Sequence, residues 1–382
     1  MSVNSDALEI IIKEHIQAAN GFLSFEDFMR LALYEPELGY YESEHVFGES
    51  GDFVTGADLG DWLAMGFADV LHWGWQALDK PEDWVLLEQG GGTGQLLAQT
   101  IKYITALDMP MPEMMAVERS AHMRQRQGEV YQQTGLKVQQ YAELSDVQTD
   151  KPVLMMCNEL PDAFPVQVFE WKNGQFYERG VTWTGDKFDW VTAEETMQYA
   201  PDIASSITQA WPEGYISEFN LGLSSWQYHI SQLMDRGFVF CVDYGYSQQE
   251  YYRANRIEGT LMGHKAHQVV EQVLQAFGAC DITAHIDFTH LAKIGQKVGL
   301  EPLSFITQGA WLGQSPSVQQ AVMALAQEGS IESVQALAHA KRMMLPVGMG
   351  ESFKLLIQSK GVQAMPAYLQ ALDRLRDLGR KQ

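Results

Sequence analysis

Short, wholly apolar runs alternate along this chain with stretches whose apolar residues recur every three or four positions. The run at 84–88, Trp-Val-Leu-Leu-Glu, ends in a carboxylate. Glycines at 90, 91, 92 and 94 break it, and helical spacing then continues to about residue 103. That order predicts a strand, a tight turn and a helix. Apolar runs at 114–118 (ending in Glu118), 152–157, 238–242, 303–307 and 353–357 predict further strands, and 136–141 reads as one more between them. Helical spacing over 7–19, 61–78, 121–131 and 225–234 predicts helices. Ser24, with Asp27 three positions on, marks another helix start ahead of Phe25, Phe28, Met29 and Leu31. Strands separated by helices predict an α/β fold around a doubly wound sheet.

The rhythm changes after residue 166. Runs at 166–171, 175–183 and 187–191, separated by Asn173-Gly174 and Gly185-Asp186, predict a three-stranded meander with two tight turns. A polar stretch and the helix at 225–234 follow. Residues 247–290 read as irregular and polar, with His264, His267, His285 and His290 at spacings that form no metal set. Residues 48–60 read as a glycine-rich loop. The expected organisation is an N-terminal helical and loop segment packing on the core (1–80), a first half of the core (81–165), an inserted meander and helix (166–236), and a second half with helical insertions (237–382).

The turn at 90–94 carries the first candidate chemistry. Four glycines in five positions are costly to order, but they allow positive φ and let a ligand approach bare backbone at a helix N-terminus. The acid precedes the glycines, unlike the nicotinamide fingerprint, and Gln95 stands where that pattern has its third glycine. A carboxylate at the strand tip suits a cationic ligand. S-adenosylmethionine (SAM) has an ammonium group for Glu88 and a carboxylate that can face the helix N-terminus. Glu118 ends the neighbouring strand and is placed to accept both ribose hydroxyls of an adenosine. The polar loop 158–165 faces the same crevice. Asn158, Glu159 and Asp162 there either orient a second substrate or cap the following turn. Tyr34, Tyr40 and Tyr41 either rim a channel or form a buried turn, and Trp62, Trp73, Trp75 and Trp84 read as core.

The chain has 382 residues, of which 46% are hydrophobic, enough for one large domain or two ordinary ones. Its formal net charge of −23 disfavours a phosphate backbone and either draws in a basic partner or, the simpler reading, keeps the protein soluble. Cys157, Cys241 and Cys280 have no metal or disulfide spacing and are expected reduced. The first residues are polar and acidic, and no stretch approaches a membrane span. A cytoplasmic protein without membrane insertion or nucleic-acid binding is expected.

Seven motifs in order resemble a known family: Phe28-Met29 with Leu33-Tyr34 and Gly39-Tyr40-Tyr41; Gly51-Asp52-Phe53-Val54-Thr55; residues 88–94; Asn158-Glu159 with Asp162-Ala163-Phe164-Pro165; Asp243-Tyr244-Gly245; Asp281-Ile282-Thr283-Ala284-His285-Ile286-Asp287-Phe288; and Gly348-Met349-Gly350 with Phe353-Lys354. Together they resemble the MidA family of SAM-dependent methyltransferases, whose mitochondrial members are arginine methyltransferases needed for respiratory complex I assembly. The resemblance implies a class I, Rossmann-like methyltransferase core with a mixed seven-stranded sheet, an N-terminal helical segment and an inserted β-meander and helical region.

Carried over by position, Glu88, Gly90, Gly92 and Gly94 would contact the methionine end of SAM and Glu118 its ribose. Asp52, Phe53 and Thr55 would form a loop at the mouth of the site. Asn158, Glu159 and Asp162 would mark the acceptor side, with Asp243 in reserve. The implied reaction is methyl transfer to an arginine of a basic protein partner, the carboxylates orienting the guanidinium and helping its proton leave. The alternatives are another acceptor, or a SAM-binding assembly factor with little turnover that uses 166–236 as its binding surface. Gly91, Thr93 and Gln95 stand where the family has proline, arginine and threonine. Residues 55–58 and Leu160-Pro161 also depart from its pattern.

Overall fold

The computed structural model describes residues 3–42, 60–265 and 268–379. The loop expected at 48–60 falls almost wholly outside them. Two compact units emerge, each of several chain segments. One draws on 54–160, 226–245 and 291–382, the other on 1–53, 161–225 and 246–290.

The first, the sheet unit, is built on strands β1 (Val85–Gln89), β2 (Glu113–Val117), β3 (Val138–Tyr141), β4 (Val153–Asn158), β5 (Gly237–Tyr246), β6 (Glu301–Thr307) and β7 (Phe353–Lys360). They lie side by side in the order β6-β7-β5-β4-β1-β2-β3. Strands β1 to β5 pair in parallel, whereas β7 runs antiparallel to both β5 and β6. These seven form the mixed ladder expected, and the two-residue strand Ile286–Asp287 adds an eighth off that path. Val85, Leu86, Leu87, Val153, Leu154, Met155 and Met156 are all fully buried, as strands covered on both faces require. Cys157 and Cys241 are in register across β4 and β5, and both are free and buried. The helix Trp62–Ala77 joins the same apolar core, which takes in Trp62, Trp75 and Trp84.

Chain order decides where a ligand fits. From β1 the chain builds outward through β2 to β3, then returns to place β4 on the other side of β1. That reversal opens a crevice at the carboxyl ends of β1 and β4, the place where open α/β sheets bind ligands.

The second, the meander unit, holds the predicted meander: Gln175–Trp183 is flanked by Gln167–Lys172 and Phe188–Thr196. Asn173 and Gly174 have φ of 51° and 72°, the paired positive values of a tight hairpin turn. Leu23–Ser24 and Tyr215–Phe219 extend this sheet. The latter lies in the stretch read as polar: its Ser217 and Glu218 are buried, and Glu218 accepts hydrogen bonds from Tyr251 and Thr260. Residues 247–290 are also more ordered than expected. They hold a short helix, Gln248–Tyr251, and an antiparallel sheet of Met262–Lys265, Gln268–Val270 and Asp281–Thr283. Strands of three or four residues are too short to display an alternation. Ser24 caps the helix Phe25–Tyr34 as predicted, its hydroxyl accepting from the Asp27 N–H at 3.0 Å.

Candidate active site

Strand β1 delivers Glu88 to the crevice, and the chain then turns sharply. Gly90, Gly92 and Gly94 have φ of 70°, 53° and 83°, conformations open to glycine at little cost. Gly94 is the N-cap of the helix Gln95–Ile104. Among the described residues nothing lies within 4 Å of where a Cβ on Gly92 would sit, so its bare backbone meets none of them there. The turn is held from beneath. The Gly90 N–H donates to Val117 O (2.9 Å), and the Gln127 side-chain amide donates to Gly92 O (3.1 Å). A Cβ on Gly94 would run into the ring of Tyr131.

Glu88 is 1% exposed, and neither of its carboxylate oxygens has a hydrogen-bond partner among the described residues. Burial, with the nearby Glu118 carboxylate adding to it, pushes the Glu88 carboxyl up to about 8. The side chain folds over Gly91, filling the space a Cβ there would take. Glycine at 91, where the family resemblance has proline, makes that position available. Glu118 follows β2, and its Oε1 accepts from the Ser120 N–H at 3.0 Å. A buried carboxylate with no donor among the described residues, beside a turn of bare glycine backbone, fits a ligand that brings its own cation, as the ammonium of SAM does. Glu88, Gly90, Gly92, Gly94 and Glu118 are thus brought together in one unit.

Tyr131, Gln127 and Trp226 were not anticipated at this site. Tyr131 packs beneath Gly94, and burial and the Glu88 and Glu118 charges push its hydroxyl upward. Trp226 donates from Nε1 to Gln89 Oε1 at 2.9 Å. The four-residue spacing of Gln127 and Tyr131 puts both on one helix face, but only the sheet shows that this face meets the turn.

Asn158 closes β4, and Glu159 follows with φ 50°, a left-handed conformation uncommon outside glycine. The Glu159 N–H donates to Val242 O (3.0 Å), and Asn158 Nδ2 donates to Glu159 Oε1 (3.2 Å). Asp243, on β5, is fully buried and its Oδ1 accepts from the Tyr244 N–H at 2.7 Å. It lies one residue beyond Val242, the register partner of Asn158. Asp162 belongs to the meander unit. It is buried in the tight turn Pro161–Ala163, with its carbonyl accepting from the Ala284 N–H at 3.0 Å. The Tyr34 hydroxyl donates to Ala163 O (2.8 Å) in the same unit, and the Tyr41 hydroxyl to Asp281 Oδ1 (2.7 Å). Tyr40 is buried and the rings of Tyr34 and Tyr41 stack at 5.5 Å. Asp52, Phe53 and Thr55 lie outside the described residues, as does His267.

Comparisons with known proteins bear on the fold and the family. The family described as "Putative S-adenosyl-L-methionine-dependent methyltransferase" matches residues 67–306, well over half the chain. The mitochondrial protein arginine methyltransferase NDUFAF7 of Danio rerio is 26% identical, over 92% of this chain and 88% of its own. Its Homo sapiens counterpart is 25% identical, over 88% and 79%. A crystal structure from Burkholderia thailandensis bound to S-adenosyl-homocysteine superposes with a TM-score of 0.88 at 26% identity, covering 98% of this chain and 97% of that one.

One expectation is overturned. The relatives are named as mitochondrial proteins, so the cytoplasmic assignment drawn from the polar first residues is not upheld. Compartment is set by an address that cellular machinery reads, and composition of a folded domain does not carry it. Among the described residues no helix is long and apolar enough to cross a membrane. A parallel sheet reversing direction beside a glycine turn, a buried acid awaiting a cation and a family match spanning both place the chain in the family of SAM-dependent methyltransferases.

Proposed function

We propose that this enzyme methylates an arginine side chain of a protein, in the assembly of a respiratory complex as the MidA resemblance implies. Bound SAM supplies an electrophilic methyl group on a sulfonium centre. The chain's own residues bind, orient and move a proton. Glu88 takes the ammonium of SAM, the backbone at Gly90, Gly92 and Gly94 its methionine end, and Glu118 the ribose. Asp52, Phe53 and Thr55 would complete that site. A guanidinium is cationic and a poor nucleophile, so carboxylates that hold it in line and accept its proton lower the barrier. Glu159 and Asp162 are the candidates for that role, with Asp243 in reserve, and the Asn158 side-chain amide orients Glu159.

The observation that carries this reading is the backbone of Glu159. A non-glycine residue held at positive φ costs about 1 kcal/mol or more, and such strain gathers at functional sites. Here it sits at the tip of β4, where the sheet reverses. The arginine methyltransferases among the relatives support the choice of acceptor.

The test is transfer of isotopically labelled methyl from SAM to basic proteins, read by mass spectrometry. Label on arginine is expected. Glu159→Gln should lower kcat by about a hundredfold or more while leaving cofactor affinity unchanged. Label on another residue type, or full turnover in the variant, would overturn the proposal.

A further inference from the structure

The segment 281–288 stands out in the sequence, yet the cofactor site makes no use of it. Within the meander unit, His285, Ile286 and Asp287 form one wall of a cavity of about 230 Å³, whose other walls include residues 199–203, 219–221 and 248, 251 and 252. Pockets for drug-sized ligands begin at about 300 Å³, so this one has the size for a single long side chain. Its surface is mostly apolar, with the rings of Phe219, Tyr251 and Tyr252 on the wall. Tyr199, also on the wall, is 77% exposed, so the cavity opens to solvent there. The titratable lining is two carboxylates, Asp202 and Asp287, two imidazoles, His285 and His290, and the hydroxyls of Tyr199, Tyr251 and Tyr252, and among the described residues it has no lysine or arginine.

Asp287 is 8% exposed. Its Oδ1 accepts from the His290 N–H at 3.0 Å and its Oδ2 from Gln248 Nε2 at 3.4 Å. These bonds fix the carboxylate's orientation. The cavity also adjoins the turn that carries Asp162. Asn220, on the wall, donates to Pro161 O (3.4 Å) and Phe164 O (3.5 Å), and Ala284, next to His285, donates to Asp162 O (3.0 Å).

We propose that this cavity is a recognition subsite for an arginine of the acceptor protein that flanks the methylated residue. A guanidinium is planar and weakly hydrated, and it packs on aromatic faces while pairing with a carboxylate. An ammonium is compact and strongly hydrated. The net charge of −23 favours a basic segment as the occupant. The inference rests on the arginine-methyltransferase reading above. Binding energy from a part of the acceptor that does not react holds the reacting residue in place.

The experiment titrates the full chain with N-acetyl-arginine amide, N-acetyl-lysine amide and the neutral citrulline analogue, followed by NMR and calorimetry. The arginine compound should bind in preference to the other two. Asp287→Asn keeps an oxygen for the His290 N–H and should weaken that binding about tenfold, as loss of a charge-assisted pair does. Tyr199→Ala, a surface change, should weaken it less. Equal binding of the lysine or citrulline compound, or affinity unchanged in both variants, overturns the subsite. In methyl-transfer assays both variants should raise KM for the acceptor and spare kcat. Turnover with an unaltered KM in both sinks the subsite and leaves the reaction standing. A wild type that binds the arginine amide but methylates no arginine sinks the reaction, and the flanking role with it.

Discussion

A carboxyl group enclosed without a hydrogen-bond donor is expensive to ionise, and Glu88 is in that position. Its folded value of about 8 lies above the unfolded value near 4.5, so the folded state holds the proton more tightly across that window. Stability contributed by this group is therefore complete below about pH 4.5 and is lost as pH rises through about 8. Urea unfolding of the ligand-free protein should show that decline, and Glu88→Gln should flatten it. The difference between the two profiles isolates this residue. The ammonium of SAM favours the ionised carboxylate, so binding at pH 7 should release a proton. Calorimetry in buffers of different ionisation enthalpy measures that release. Glu88→Gln should abolish it and weaken affinity by roughly 10- to 100-fold, the worth of a charged hydrogen bond. A binding enthalpy indifferent to buffer in the wild type would refute this account of Glu88.

The glycine turn works only because a neighbouring element supports it. Helix Ala121–Thr134 brings the fully buried Gln127 to the Gly92 carbonyl, and Gln140, on β3, donates to Gln127 Oε1 at 3.2 Å. Gln127→Leu would keep the volume and strand the Gly92 carbonyl, while Gln140 Nε2 keeps its bond to Arg124 O at 2.7 Å; the loss should cost about 1–3 kcal/mol of stability. It should also weaken SAM several-fold by loosening the turn, a change that cofactor titration monitored by thermal unfolding would detect. Unaltered affinity would show that the turn holds its shape unaided. Element existence was legible along the chain because the periods are strong. The Asn173-Gly174 hairpin and the Ser24 cap follow from the conformations these residues favour. The strand Tyr215–Phe219 was hidden because buried Glu218 mimics a solvated position. Its satisfaction comes from Tyr251 and Thr260, more than 30 residues further on.

At the scale of the molecule, charge governs encounter. With a net charge of −23 the protein attracts basic partners over a distance that salt sets, from about 30 Å at 0.01 M to about 8 Å at 0.15 M. KM for a basic acceptor should rise several-fold across that range in steady-state assays. Cofactor affinity should change less, because Glu88 is shut away from the solvent ions. A KM independent of salt would argue that long-range attraction has no part in acceptor capture. The same scale shows why the chain's linear order hides its grouping. The N-terminal helices share a core with the meander and with residues 273–284, over 200 positions away.

The sequence by itself determined the alternation of strands and helices, the acid-then-glycine turn and the chemistry that turn suits. These are properties of neighbouring residues, fixed by period, by conformational freedom and by charge. Tertiary structure alone decided that β4 returns beside β1, that Tyr131 and Gln127 lie beneath the glycines, and that Asp287 faces an aromatic cavity. Each of those depends on which distant surfaces exclude water together, and burial of that kind is a property of the whole folded chain.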